Sequence, residues 1–180
     1  MGSNGLLIPH GPTNISAFGL NLTIAPATGG GCLYKGPFAN ATVDLGPVAY
    51  QPLDADHGLT YNPRCLARDL SPVWANQTKP TDVAGVLATC GADLGCWDTN
   101  FEAISGVHAG GHFTIGSLNV DAYASAGDPV FYLHHAQVDR IWTLWQSLDL
   151  EKRTNAVYGT STAFNGSFSV GVAPLLELEC

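Results

Sequence analysis

The segment DPVFYLHHAQVDRIWTLWQ, residues 128–146, carries the strongest helical pattern of the 180-residue chain. Asp128 followed by Pro129 reads as a capped helix start: a carboxylate for the free N–H groups, then a proline whose missing N–H is not needed there. Phe131, His135, Val138, Trp142 and Trp145 recur at three- and four-residue spacing, which lines one face of a helix. The spacing predicts a helix over 128–148. It contains a histidine doublet, His134 and His135. Both lie on apolar stripes, so periodicity does not separate them.

Working upstream, Val107-His108-Ala109-Gly110-Gly111-His112 places two more imidazoles four residues apart. On a helix they share a face and can grip one ion. Gly110 and Gly111 each cost about 1 kcal/mol relative to alanine in a helix, so they are expected where a neighbouring helix or a substrate comes close. A third imidazole from the 128–148 helix completes a three-nitrogen site with open positions. Such a site suits copper, zinc or iron, and the spacing does not choose among them. The aromatic face of that helix provides dry surroundings. Asp139, four residues after His135, is placed either to orient an imidazole or to pair with Arg140 or Arg153.

The remaining chain is less regular. Residues 1–80 are broken by Gly29-Gly30-Gly31, Gly36-Pro37, Gly46-Pro47, Asn62-Pro63 and Ser71-Pro72, which leave no window for a long helix. Short apolar runs such as Leu20 to Ile24 are strands at most. Thr81 to Thr89, entered after Pro80, and Trp97 to Val107 are two further helix candidates. Past Asp149 the pattern decays. The coarse picture is a mainly helical core wrapped in long irregular loops: a loop-rich segment over 1–80, a helical core over 81–150 and an extension over 151–180. Loops on this scale need pinning by function, disulfides or a partner.

Composition excludes several classes. Apolar residues make up 46% and charged ones 12%, with a formal charge of −8, which suits a single packed domain and argues against nucleic-acid or anionic-membrane binding. No apolar run approaches the roughly 20 residues of a membrane span. Five cysteines (Cys32, Cys65, Cys90, Cys96, Cys180) leave one over if the rest pair, and the sequence does not say how. Asn-x-Ser/Thr acceptors begin at Asn14, Asn21, Asn40, Asn76 and Asn165, half of the ten asparagines. That excess points to a secreted, glycosylated surface.

Residues 128–146 resemble the second-copper signature of tyrosinases, catechol oxidases and molluscan hemocyanins, the type 3 copper proteins. The match runs through Asp128, Pro129, Phe131, His134, His135, Asp139, Arg140 and Trp142. Gly36-Pro37-Phe38, Asn40, Leu45-Gly46-Pro47 and Asn62-Pro63-Arg64-Cys65-Leu66 resemble the loop region of fungal, ascomycete-type tyrosinases. The resemblance implies His108, His112 and His135 as the ligands of one copper, with His134 beside the site. It implies a partial type 3 copper helical bundle, the second-copper half, with phenols and dioxygen as partners. In that family two coppers, three histidines each, hydroxylate monophenols or oxidise ortho-diphenols to ortho-quinones.

Glu102, six residues before His108, is the candidate for a carboxylate that holds a water near the metal. Phe131 is expected to pack near the site. Ala109 stands after the first ligand, where many hydroxylating tyrosinases carry Asn, a departure that weakens the case for monophenol hydroxylation. The first-copper trio is not evident: only His10 and His57 remain, in loop-like context, and both read as exposed loop histidines. Met1 is accordingly expected to be an internal methionine or a shortened start, with a first-copper segment missing upstream. One copper per chain follows, and the isolated chain is expected to be inactive or very weak. A hemocyanin-like dioxygen carrier and a non-catalytic mononuclear module are the alternatives.

Overall fold

The computed structural model describes residues 8–17, 20–52, 56 and 58–158. His57, Asn165 and Cys180 lie outside the described residues. Two small antiparallel sheets come first: β1 (Thr13–Ala17) with β2 (Leu20–Ile24), and β3 (Thr42–Val43) with β4 (Arg64–Cys65). Six helices follow, α1 (Pro72–Ala75), α2 (Pro80–Thr89), α3 (Leu94–Phe101), α4 (Val107–Ile115), α5 (Val130–Ser147) and α6 (Leu150–Arg153). The fold is mainly helical and its sheets are minor, as the pattern predicts.

Local chemistry sets the helix ends. Asp82 reaches back to accept the Lys79 N–H at 2.9 Å, so α2 begins at Pro80, one residue before the predicted entry. Asp93 Oδ1 accepts the Cys96 N–H at 3.0 Å and caps α3. The predicted helix over Trp97 to Val107 is corrected: α3 stops at Phe101 and a new helix starts at Val107. Gly106 lies between them so tightly that a Cβ would strike the carbonyl oxygens of Asn100, Phe101 and Ala103. α4 ends at Gly116, whose φ of +67° and contact with the Asp69 carbonyl leave no room for a side chain.

Packing is divided among three apolar clusters. The largest joins α2, α3 and α5 through Val86, Cys90, Trp97, Phe101, Val107, Ile141 and Trp145. Trp97 stacks on Phe101 at 4.6 Å and meets Trp142 and Trp145 at 5.1 and 5.4 Å. Such aromatic contacts each contribute about 0.5–1.5 kcal/mol beyond area burial. The aromatic stripe of α5 therefore divides: its C-terminal half fills this core, while Phe131 and His135 are half-buried at the other end.

The loops are held by carboxylates and by covalent links. Asp69 accepts the N–H groups of Ala27 and Gly29 and meets His10 Nε2, at 2.7–2.9 Å. Asp121 accepts the N–H groups of Val48, Ala49, Tyr123 and Ala124. Asp128 takes both Nε and Nη2 of Arg68, at 2.8 and 2.6 Å, the Asn119 amide at 3.0 Å and the Val130 N–H at 2.9 Å. Disulfides Cys32–Cys65 and Cys90–Cys96 close a loop and the α2–α3 turn. Asp128→Ala is expected to destabilise the chain by about 3–5 kcal/mol, because it removes the carboxylate that offsets the buried charge of Arg68. A denaturation midpoint within error of wild type would show that the pair does not anchor α5.

Candidate metal centre

α4 presents His108 and His112 one turn apart, and α5 presents His134 and His135 across from them. His112 Nε2 lies 3.2 Å from His108 Nε2 and 3.2 Å from His135 Nε2. Imidazole nitrogens that each sit about 2.0–2.1 Å from a shared ion lie roughly 2.9–3.4 Å from each other. His108, His112 and His134 offer ring nitrogens that all lie within 4.8 Å of one another. His135 joins the cluster through its 3.2 Å approach to His112.

His134 Nε2 lies 2.9 Å from the backbone carbonyl of His108. A carbonyl only accepts, so the ring proton of His134 sits on Nε2 and its free lone pair is on Nδ1. Its ring packs against Gly111, where an added Cβ would overlap it. Gly110 is likewise under Gln77, which fills the space a Cβ would take. The two glycines that weaken α4 as an isolated helix thus admit its neighbours at close range. Phe131 stacks on His135 with ring centres 3.9 Å apart, near the site as expected.

Glu102 Oε2 lies 2.5 Å from His108 Nδ1. The carboxylate is an acceptor, so His108 carries its proton on Nδ1 and turns the Nε2 lone pair toward His112. Burial comes first among the causes that push His112 down to about 3, followed by neighbouring His134, His108 and His135. The Asn119 backbone pulls the other way, although no atom meets hydrogen-bond geometry with the buried Nδ1 of His112. Burial, then His108, lowers His134 to about 4, and the same two causes lower His135. These shifts keep the imidazoles neutral near pH 7, the form in which a ring nitrogen can bind metal. The donors are all nitrogen, and the set fits one metal ion.

A cavity of about 610 Å³ opens in front of the cluster. His108, His112, His135 and Phe131 form its floor, Glu102, Ala103 and Ile104 one side, and Ile15, Ala17, Leu20 and Leu22 of the hairpin the facing wall. Ala109 and Asn119 also line it. The volume is in the range of a small-molecule site. The apolar run Leu20 to Ile24 is β2 of this wall, as its composition allows; β1 has its sequence signal in the alternation of Asn14-Ile15-Ser16-Ala17. His10, read as an exposed loop histidine, is exposed and in a loop, where it meets Asp69 at 2.9 Å and the Gly11 carbonyl at 2.8 Å. Asp139 forms no ion pair among the described residues, and Arg153 instead lies over the Trp145 ring and donates to the Trp145 carbonyl. No second trio of metal-binding side chains comes together among the described residues.

The common central domain of tyrosinase matches residues 1–148. This chain belongs to the tyrosinase family. It is similar to the tyrosinase-like protein orsC of Emericella nidulans, 36% identical over 180 residues, covering 92% of this chain and 48% of that protein. Tyrosinase P of Aspergillus terreus is 37% identical over 160 residues, covering 81% and 44%. The solved structure of a polyphenol oxidase (mutant G292N) from Thermothelomyces thermophila superposes with a TM-score of 0.69 at 40% identity, over 83% of this chain and 41% of that one. The chain spans about half the length of these relatives. Its disulfides and fungal relatives are consistent with a secreted protein, and among the described residues no helix is long and apolar enough to cross a membrane.

In this tyrosinase-family chain, Gly111→Ala is expected to push the His134 ring off α4 and to weaken metal binding by about 10–100-fold, the range for losing an outer-shell support. Calorimetric titration of the metal-free protein reads the change; an unaltered affinity would mean that the α4–α5 approach does not shape the cluster.

Proposed function

We propose that this chain is the second-copper half of an oxidoreductase of the tyrosinase or catechol oxidase kind, with His108, His112 and His135 as ligands of a single copper ion. The observation that carries the reading is the pair of 3.2 Å approaches at His112 Nε2, made by nitrogens from two different helices. When bound, copper supplies one-electron redox steps that couple oxidation of an ortho-diphenol to reduction of dioxygen. Reducing dioxygen by two electrons in one event requires a second copper. Besides the cluster the chain has only His10 and His57, one short of a second trio, so the chain by itself is expected to be inactive or very weak.

The residues around the cluster divide the work. The apolar hairpin wall and Phe131 exclude water and receive an aromatic ring. His134 braces α5 on α4 through the His108 carbonyl. Glu102 is assigned to positioning: by holding Nδ1–H of His108 it fixes which nitrogen faces the metal. The water-holding role is left to its other oxygen. Ala109 provides no amide to help orient the base that takes a phenolic proton, which favours diphenols over monophenols as substrates.

Elemental analysis of the copper-loaded chain should find one ion per chain; two would overturn the half-site reading. His112→Ala should abolish tight copper binding, and His135→Ala should cost more copper than His134→Ala, with the reverse order reassigning the doublet. Turnover of a catechol, once a second trio of histidines is supplied by an added first-copper segment, separates an oxidase from a dioxygen carrier of the hemocyanin kind. Glu102→Leu should lower copper affinity about 10–100-fold, while Glu102→Gln, which keeps a carbonyl acceptor for Nδ1–H, should restore most of it. Equal losses in the two variants would remove Glu102 from the positioning role.

A further inference from the structure

The β1–β2 hairpin carries two of the Asn-x-Ser/Thr acceptors on one surface. Its register pairs Asn14 with Thr23, Ile15 with Leu22, Ser16 with Asn21 and Ala17 with Leu20. Side chains alternate across a sheet, so Asn14, Ser16, Asn21 and Thr23 share one face and Ile15, Ala17, Leu20 and Leu22 the other. The apolar face walls the metal cavity. On the opposite face Asn14, Asn21 and Thr23 are exposed. Both acceptors are therefore placed where a sugar chain leads into solvent without disturbing the core.

The two strands differ at their outer edges. β1 is covered: Ser16 N–H donates to the Ala49 carbonyl at 2.7 Å and Gln51 N–H to the Asn14 carbonyl at 2.8 Å. β2 pairs with β1 alone among the described residues. An open edge of this kind invites pairing with another chain, and proteins blunt it with charges, proline, bulges or a cover. β2 reads Leu-Asn-Leu-Thr-Ile, with no charge and no proline. Asn21 stands in its middle. In the folded hairpin the Thr23 hydroxyl, which completes the Asn21 motif, donates to Asn14 Oδ1 at 2.8 Å.

A separate observation concerns compartment. Cys32–Cys65 and Cys90–Cys96 are both within bonding geometry, with Cα atoms 5.5 and 5.4 Å apart, and disulfides of this type persist where the environment is oxidising. In a eukaryote that is also where N-linked glycans are added.

We propose that Asn21 is an N-glycosylation site and that its glycan shields the open edge of β2. The sugar donor is a polyprenyl-diphosphate-linked oligosaccharide. Asn21 Nδ2 forms a bond to its anomeric carbon and gives up one proton to a base of the transferase. The bond from that carbon to the diphosphate oxygen breaks, and the lipid diphosphate leaves with the electron pair.

The test expresses the chain behind a cleavable leader in a yeast and collects both secreted and pathway-retained protein. Neither Lys nor Arg precedes Lys35, so Asn14 and Asn21 fall on one tryptic peptide. Electron-transfer fragmentation of the intact glycopeptide then assigns the site without any variant. Hexose and N-acetylhexosamine on Asn21 are expected, together with the loss of one glycan in Asn21→Gln. That variant, and Thr23→Val with its separate loss of the acceptor motif, should show several-fold more light scattering than wild type at equal concentration. An unmodified Asn21 overturns the site. A glycosylated Asn21 whose enzymatic removal leaves the protein as monodisperse as before overturns the shielding role.

Discussion

Asp128 is the constraint on which the arrangement depends. Its two oxygens receive a forked pair of bonds from Arg68, one from Asn119 and one from the first N–H of α5. The carboxylate is fully buried and its guanidinium partner almost so. A buried ion pair of this kind adds little net stability against an apolar replacement, but removing one partner is severe. What it contributes is position. It joins a loop sixty residues upstream to the start of the helix that carries the histidine doublet, and so sets where along α4 that doublet lands.

The metal cluster depends on that placement and on two absences of side chain. Gly111 lets the His134 ring lie on α4, and Gly110 does the same for Gln77. With His134 engaged to the backbone of His108, its neighbour His135 is left with Nε2 directed at His112. The doublet is thus two residues with different tasks: one fastens the helices and one faces the cavity. Glu102 performs a comparable service for His108 from the end of α3. Support of this kind fixes ring orientation and tautomer, which three donors on flexible side chains would not keep unaided.

The core is arranged to serve the same end. Trp97, Phe101, Trp142 and Trp145 hold α3 against α5, and Phe101 continues the stack toward His108 at 5.9 Å. The rigid aromatic layer lies behind the imidazoles and the open cavity in front. On the cavity side the wall is only a two-stranded hairpin, one residue thick.

Much of this was legible in the primary structure, and for identifiable reasons. The 128–148 helix announces itself through a cap and a long apolar period, and the four-residue spacing of His108 and His112 needs only a helix to bring them together. The family resemblance rests on the same residues. Other features depend on partners distant in the chain. Neither periodicity nor spacing distinguishes His134 from His135; that His134 meets the His108 carbonyl on another helix is seen only in three dimensions. The end of α3 at Phe101 was misread because a tight turn at Gly106 outweighs a continuing apolar pattern. His10 is the exposed loop residue its context predicts, but its partner Asp69, 59 residues away, is not visible in the sequence. Short-range order determined which elements exist and which side chains could bind metal; only long-range packing, through buried carboxylates and close glycine contacts, decided which nitrogens meet.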